Sequence, residues 1–188
     1  MKTCLGGRST NFFGMETVEF NSASFWVESL GSETDPALVL IHSGIASAHM
    51  WDPLVVALSV GHHVIRYDCQ EFGRTTTENV VFSDVDDLLA VMAGTGAERA
   101  TLIGAHRGGG FPEVHLNRGE QMISDRLDEL LAQGDHDLSP ARAGTSYLLA
   151  VVPNAAEARF PDSAHSPCVE RPAEFIRVVG AWLNENGL

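Results

Sequence analysis

The stretch LIGAHRGGG, residues 102–110, joins a run of apolar residues to a sharp, glycine-rich turn. Gly104 and Gly108 stand two positions on either side of His106. Glycines at that spacing let a strand and the segment after it pass closely around the central residue. We interpret the stretch as a buried strand that ends in a tight turn, with His106 at the centre of the turn.

Other parts of the chain repeat the alternation of strand and helix. Short apolar runs predict buried strands, and apolar residues at three- and four-residue spacing predict amphipathic helices. Strands that alternate with helices in this way predict an α/β domain with a mostly parallel sheet flanked by helices, whose ligands bind at the carboxyl ends of the strands. The predicted strands are 37–42, 62–68, 100–105 and 156–162, the predicted hairpin is 17–32 around Asn21-Ser22, and the predicted helices are 49–61, 82–96 after an N-cap at Ser83, and 172–187 beginning at Pro172.

Composition excludes several classes of partner. The formal net charge of −13 disfavours nucleic acid and anionic membranes, which both attract basic proteins. The sequence contains no apolar run long enough to span a bilayer. Its first 18 residues lack a long apolar block, so we do not expect a secretory signal. The three cysteines are widely spaced, which favours free thiols. We therefore predict a cytoplasmic protein without a cofactor, built as a flexible leader over 1–15 and a single domain over 16–188.

Four blocks of sequence occur in an order typical of one superfamily. They are ALVLIHSGIASAHMWDPL, HHVIRYDCQEFGRT, DVDDLLAVMAGTGAERATLIG and FPDSAHSPCVERPAEFIRVVGAWL. Together they closely resemble the α/β-hydrolase superfamily, in particular its small bacterial esterase-like, lactonase-like and haloperoxidase-like members. The resemblance covers residues 17–105 and 134–186, which is most of the chain.

The resemblance implies an oxyanion-binding loop. His42, Ser43 and Gly44 match the His-Gly type of loop that follows the third strand of these enzymes. A backbone N–H between Ser43 and Ile45 would then face the developing oxyanion, and the N–H of Arg107 would be the second donor. Ser43 also carries a hydroxyl and is a weaker candidate for a substitute nucleophile; a polar loop residue is the simpler interpretation.

The resemblance also assigns the other catalytic positions. His106 occupies the position of the nucleophile, GDHD (134–137) resembles the acid loop with Asp137 as the acid, and His165 in PDSAHSP matches the catalytic histidine. Asp137 precedes His165 by 28 positions, and the chain order of turn, acid and histidine is the order of the superfamily.

Two departures affect what this site can do. The serine of the superfamily is replaced by His106, and only 31 positions separate His106 from Asp137. That distance implies a truncated α/β-hydrolase fold without a cap domain, with the deletion between about 110 and 134. In DCQEFGRT, Gln70 and Glu71 also replace an arginine and a glycine of the superfamily pattern.

The segment directly before the acid loop is predicted to be a helix. In EQMISDRLDELLAQG (120–134) the apolar residues have helical spacing, and Leu, Glu, Ala and Gln favour helix. On that interpretation a strand is missing. The sheet then either places its final strand beside the 100–105 strand or leaves an exposed edge, through which a homo-oligomer would form.

Three functions are compatible with these residues. The first is a divergent hydrolase of small ester or lactone-type substrates, in which His165, oriented by Asp137, activates water, or in which His106 forms a labile acyl-imidazole. The second is a catalytically inactive homologue that acts as a binding protein or is a decayed paralogue. The third is a metal site made by His106, Asp137 and His165. The two departures favour the second function over the first, and the chain is at best a divergent hydrolase. If it is active, its partner is a small acyl substrate and it uses no metal.

Overall fold

The computed structural model describes residues 14–78, 81–105, 127–136, 146, 155–164 and 166–188. The described strands are β1 (Gly14–Phe20), β2 (Ala23–Leu30), β3 (Ala37–Ile41), β4 (His63–Tyr67), β5 (Thr76–Thr77), β6 (Ala100–Gly104), β7 (Leu127–Gly134) and β8 (Ala155–Phe160). The described helices are α1 (Val55–Leu58), α2 (Asp84–Gly94), α3 (Pro167–Glu170) and α4 (Pro172–Asn186), together with a 3-10 turn over Ala48–Trp51.

The strands form one mixed sheet in the order β1-β2-β4-β3-β6-β7-β8, and the short β5 pairs with β2. β2 is antiparallel to its neighbours β1, β4 and β5. From β4 across β3, β6 and β7 to β8 every pairing is parallel. The predicted fold class, an α/β fold with a mostly parallel sheet, is confirmed.

The hairpin that opens the sheet turns where the sequence predicted. Asn21 and Ser22 have φ values of 47° and 63°, the left-handed pair that matches the twist of two antiparallel strands. β1 begins at Gly14, so the last two residues of the predicted leader belong to the sheet. The rest of that leader, residues 1–13, lies outside the described residues.

Each face of the sheet is covered by helices, and alternate strand residues serve the two cores. In β3, Val39 and Ile41 pack with the buried residues of α2, whereas Leu38 and Leu40 pack on the opposite face. The second core contains three aromatic rings: Phe175 of α4 stacks on Phe160 at 5.4 Å and lies 6.0 Å from Trp51. Burial on both faces explains why β3 is a continuous apolar run.

Local signals place two of the helices as predicted. The Ser83 side chain accepts a hydrogen bond from the Asp86 N–H at the start of α2. α4 begins at Pro172 and ends before Gly187, whose φ is 68°. The predicted helix over 49–61 is only partly formed, because Pro53 has no N–H to continue it; a 3-10 turn precedes Pro53 and α1 follows.

The helix predicted before the acid loop is wrong where the structure describes it. Residues 127–134 form β7, which pairs in parallel with β6 on one side and β8 on the other. Backbone hydrogen bonds to two neighbouring strands outweigh the helical preference of Leu, Glu and Ala, which is worth only tenths of a kcal/mol per residue. β8 is therefore not beside β6, and the strand before Asp137 exists. Residues 120–126 lie outside the described residues.

The edges of the sheet are relevant to the predicted homo-oligomer. Among the described strands, β1 and β8 are at the two ends of the sheet order. β1 is mostly exposed, and Met15 on it is 72% exposed. Pairing between copies of the chain at such an edge stays a prediction.

Two of the three cysteines, Cys69 and Cys168, lie in the described residues, and both are buried. Burial raises the pKa of the Cys168 thiol to about 12. A thiol with so high a pKa carries very little thiolate and is a poor nucleophile. Over the described part of the chain, no helix combines the length and the apolar character that crossing a membrane requires.

Candidate functional site

His42 connects the loop after β3 to the loop after β4. Its imidazole is fully buried; Nε2 accepts a hydrogen bond from the Cys69 N–H at 3.0 Å, and Nδ1 lies 2.7 Å from the Ser43 carbonyl oxygen. Because Nε2 is an acceptor, the proton is on Nδ1, which donates to that carbonyl. Both ring nitrogens are thereby engaged in holding backbone, so His42 shapes the loop.

Ser43 begins a turn that leaves backbone donors at the end of β3. The Ala46 N–H donates to the Ser43 carbonyl oxygen at 3.0 Å, and the Ser43 N–H is directed at Met50 Sδ at 3.3 Å. Among the described residues, the N–H groups of Gly44 and Ile45 have no recorded acceptor. These two groups are thus the candidates for the oxyanion donor that the sequence placed between Ser43 and Ile45.

The Ser43 hydroxyl is a poor candidate for a substitute nucleophile. Ser43 is 1% exposed, and its Oγ has no hydrogen-bond partner within the described residues. A substrate cannot reach a hydroxyl that is enclosed in this way, and no described base activates it.

Asp68, directly after β4, fixes the backbone on which this edge is built. Its fully buried carboxylate accepts from the Ala48 N–H at 2.7 Å, from the Arg74 N–H at 2.8 Å and from Arg74 Nε at 3.1 Å. A Cβ at Gly73 would stand 2.2 Å from Asp68 Oδ2, so only glycine fits at that position. These contacts explain the aspartate and the glycine of DCQEFGRT.

The two unusual residues of the same loop have different structural consequences. Gln70 is fully buried and donates from Nε2 to both carboxylate oxygens of Asp87, at 3.1 and 3.0 Å. Its Oε1 has no hydrogen-bond partner among the described residues. An arginine at this position has no acceptor atom and would therefore leave none unpaired. Glu71 has a φ of 69°, in the left-handed region where a side chain with a Cβ is strained.

We expect Glu71→Gly to stabilise the chain by about 0.5–1 kcal/mol, because the strain in the folded state exceeds the entropy that glycine adds to the unfolded state. The midpoint of urea unfolding measures the change. Glu78→Gly is the matched control, since Glu78 is an exposed glutamate outside the left-handed region and the substitution there should destabilise. Equal destabilisation by both substitutions would contradict the prediction.

Four strands end at the same edge of the sheet. The Ala105 N–H, just after β6, donates to the Ile41 carbonyl oxygen at the end of β3 at 2.9 Å. Beyond β7, the Asp135 N–H donates to the Phe160 carbonyl oxygen at 3.2 Å, and the His136 N–H donates to the Ser163 carbonyl oxygen at 3.0 Å. Backbone hydrogen bonds therefore join the residue after β6 to the end of β3, and the loop after β7 to the end of β8 and the loop that follows it.

All three predicted catalytic residues lie outside the described residues: His106, Asp137 and His165. The predicted oxyanion residue Arg107 also lies outside them. Their described neighbours in sequence are Ala105, His136, and the pair Ala164 and Ser166. The predicted metal alternative depends wholly on three of the residues outside the description.

One charged residue that the sequence did not single out lies at this edge. Glu170, at the end of α3, accepts hydrogen bonds from the N–H groups of Ala164 and Ser166, both at 2.8 Å. Glu170 follows Ser166 by four residues, whereas the glutamate of a capping box follows its N-cap residue by three. The capping-box pattern therefore does not identify Glu170.

The strand order and the four loops at the carboxyl edge define an α/β-hydrolase fold. A CIB-like hydrolase from Thermoplasma acidophilum superposes with a TM-score of 0.75 at 18% identity, over 94% of this chain and 100% of that one. An enol-lactonase from Burkholderia xenovorans superposes with a TM-score of 0.71 at 18% identity, over 90% of this chain and 100% of that one. The resemblance to the α/β-hydrolase superfamily is thereby confirmed as a shared fold.

Similarity in sequence is more limited. A rhodomycin D methylesterase from Streptomyces peucetius is 34% identical over 96 residues, which are 47% of this chain. The match spans about a third, 32%, of the length of that curated relative. No protein-family model matches the chain.

Proposed function

We propose that this chain is a hydrolase of small ester or lactone-type substrates in which His165, oriented by Asp137, is the general base. The observation that carries the proposal is the hydrogen bond from the His136 N–H to the Ser163 carbonyl oxygen, 3.0 Å long. It joins the two loops one residue before Asp137 and two residues before His165. Chain connectivity over so few residues limits the distance between the two positions, which supports the proposal that the Asp137 carboxylate and the His165 imidazole interact.

The proposed reaction needs a water molecule instead of a serine. His165 takes a proton from water while the water oxygen bonds to the carbonyl carbon, and the carbonyl oxygen becomes an oxyanion. The N–H groups of Gly44 and Ile45, with the N–H of Arg107 as the other proposed donor, stabilise that charge. When the C–O bond to the leaving alcohol breaks, the imidazolium returns its proton to the alkoxide. A lactone reacts in the same way and opens its ring.

His106 has a second proposed role beside this route. Its imidazole occupies the position of the superfamily's nucleophile, and attack on the ester would give an acyl-imidazole that water then hydrolyses. Both routes use the same oxyanion donors and release the same acid and alcohol. Substitution of His106 distinguishes them.

The test is turnover of three probes by the purified chain: p-nitrophenyl acetate, a small methyl ester and γ-butyrolactone. The methyl ester is included because the relative from Streptomyces peucetius is a methylesterase. We expect His165→Ala to lower kcat by about 10²-fold or more, the usual contribution of a general base. His106→Ala lowers kcat only if the acyl-imidazole route operates.

His136→Ala is the matched control. His136 directly precedes Asp137 in sequence. Its side chain is 68% exposed, and its Nε2 is 4.0 Å from the Asp162 carboxylate, which is a long distance for an ion pair. Because the substitution keeps the backbone N–H, kcat should change less than twofold. If no probe is hydrolysed above the rate in buffer, the chain is the inactive homologue and the proposal fails.

A further inference from the structure

The carboxylate of Glu170 holds the backbone on both sides of position 165. One oxygen, Oε2, accepts from the Ala164 N–H and the other, Oε1, accepts from the Ser166 N–H, each at 2.8 Å. Hydrogen bonds from N–H groups to an ionised carboxylate are about twice as strong as those between neutral groups. A single side chain therefore holds the N–H groups of the residues before and after position 165.

The charge of Glu170 is stabilised by the same contacts. The N–H of Ala164 is the largest influence and lowers the pKa of the Glu170 carboxyl below its ordinary value; burial opposes this, and the Ser166 N–H and the Arg171 guanidinium reinforce it. The carboxylate stays ionised over the pH range in which an imidazole is a base.

The segment that carries Glu170 is anchored in the core. Pro167 and Cys168, in the same short helix α3, are buried, and Cys168 belongs to the core cluster that includes Phe160 and Phe175. On the other side of position 165, the Ser163 carbonyl oxygen is held by His136. The backbone is thus fixed at 163, 164 and 166 by contacts from two different directions.

We propose that Glu170 is a positioning residue, which sets the backbone around position 165 so that the His165 imidazole meets Asp137 and the substrate. This inference rests on the proposed function, because it assigns His165 the role of base. Displacement of a catalytic group by about 1 Å can lower a rate by roughly 10²-fold, so loss of a carboxylate that holds the N–H groups of both neighbouring residues should have a large effect on turnover.

The experiment compares Glu170→Ala and Glu170→Gln with the matched control Glu174→Ala. Glu174 is on α4 and pairs with Arg171 at 3.4 Å, but it accepts no hydrogen bond from the loop within the described residues. Amide hydrogen exchange at Ala164 and Ser166 is measured by NMR, and kcat and KM are measured on the ester that the chain hydrolyses, or on the His106→Ser chain if the native one is inactive.

In Glu170→Ala we expect exchange at both amides to accelerate roughly tenfold or more, kcat to fall roughly tenfold or more, and KM to stay within about twofold. Glu170→Gln has one amide oxygen for two N–H groups and should lie between. Glu174→Ala should change none of the three. Unchanged amide exchange in Glu170→Ala overturns the inference, and so does an unchanged kcat when both amides have become exposed.

Failure of the proposed function gives a different result. If neither the native chain nor His106→Ser hydrolyses any ester, the function is wrong, and the imidazole NMR signals of His165 decide the inference instead. Signals that shift or broaden in Glu170→Ala but not in Glu174→Ala support the positioning role. Signals that are the same in both variants and in the native chain overturn it.

Discussion

The substitution His106→Ser should raise turnover of p-nitrophenyl acetate by at least about 10²-fold over the native chain. The expected gain follows from the interpretation of LIGAHRGGG as a nucleophile turn, in which the serine hydroxyl stands at the centre of the turn within reach of His165. His165 could then take the proton of the hydroxyl, and an acyl-enzyme would replace direct attack by water. The measurement is the steady-state kcat/KM of the two proteins.

The double variant makes this prediction specific. Adding His165→Ala to His106→Ser should abolish the gain, because a serine hydroxyl without a base is a weak nucleophile. Asp137→Asn added to His106→Ser should remove most of it by leaving the imidazole without its orienting carboxylate. Circular dichroism and thermal unfolding of each variant establish that the chain is folded.

Two outcomes would contradict the interpretation of LIGAHRGGG as a nucleophile turn that has lost its serine. If folded His106→Ser gains nothing, the hydroxyl is not within reach of His165. If the native chain already hydrolyses esters and His106→Ser lowers that activity, His106 is itself the nucleophile. A gain that survives His165→Ala would mean that another group supplies the base.

The largest expected loss of stability follows Arg66→Met, at about 3 kcal/mol, or roughly 10 °C in the unfolding midpoint. Arg66 lies in the central strand β4, and its charged side chain is only 6% exposed. Its Nε donates to Glu28 at 2.6 Å, its Nη1 donates to Asp52 at 2.5 Å and to the Ala48 carbonyl oxygen at 3.0 Å, and its Nη2 also contacts Glu28.

The cost arises from what the substitution leaves behind. Glu28, 12% exposed, would keep its charge without its partner, and an uncompensated buried charge is strongly destabilising. Asp52 is 54% exposed, so its loss of the Arg66 partner costs less free energy. Burial acts to raise the pKa of Asp52, but the hydrogen bond and charge of Arg66, with help from His49, lower it overall. Loss of Arg66 should let the pKa of Asp52 rise.

Two further variants test this cause. Arg177→Met removes an exposed arginine that is 3.9 Å from Glu174 and should change the free energy of unfolding by less than about 0.5 kcal/mol. Arg66→Met combined with Glu28→Met should recover part of the loss, because no charge is then left unpaired in the strand pair. If Arg66→Met unfolds at the native midpoint, the buried pair contributes nothing to stability.

Sequence alone determined the parts of the fold that short segments specify. The run that became β3 is continuous and apolar because both of its faces are covered, and such a run can be recognised without knowledge of its neighbours. The hairpin at Asn21-Ser22, the cap at Ser83 and the proline that starts α4 are equally local. The loop of His42, Ser43 and Gly44 directly follows the run that became β3, so the sequence alone placed it at the carboxyl edge of the sheet. The roles of His106, Asp137 and His165 stay predictions.

Only the tertiary structure decided the features that depend on partners far away in sequence. β7 has helix-forming residues and is a strand because β6 and β8 hydrogen-bond to it from both sides. Arg66 is buried because Glu28, from a strand that pairs antiparallel, reaches it. Residue patterns indicate how much of a segment is buried, but they do not indicate which distant group lies against it. Those distant groups determine the conformation of β7 and the charge balance around Arg66.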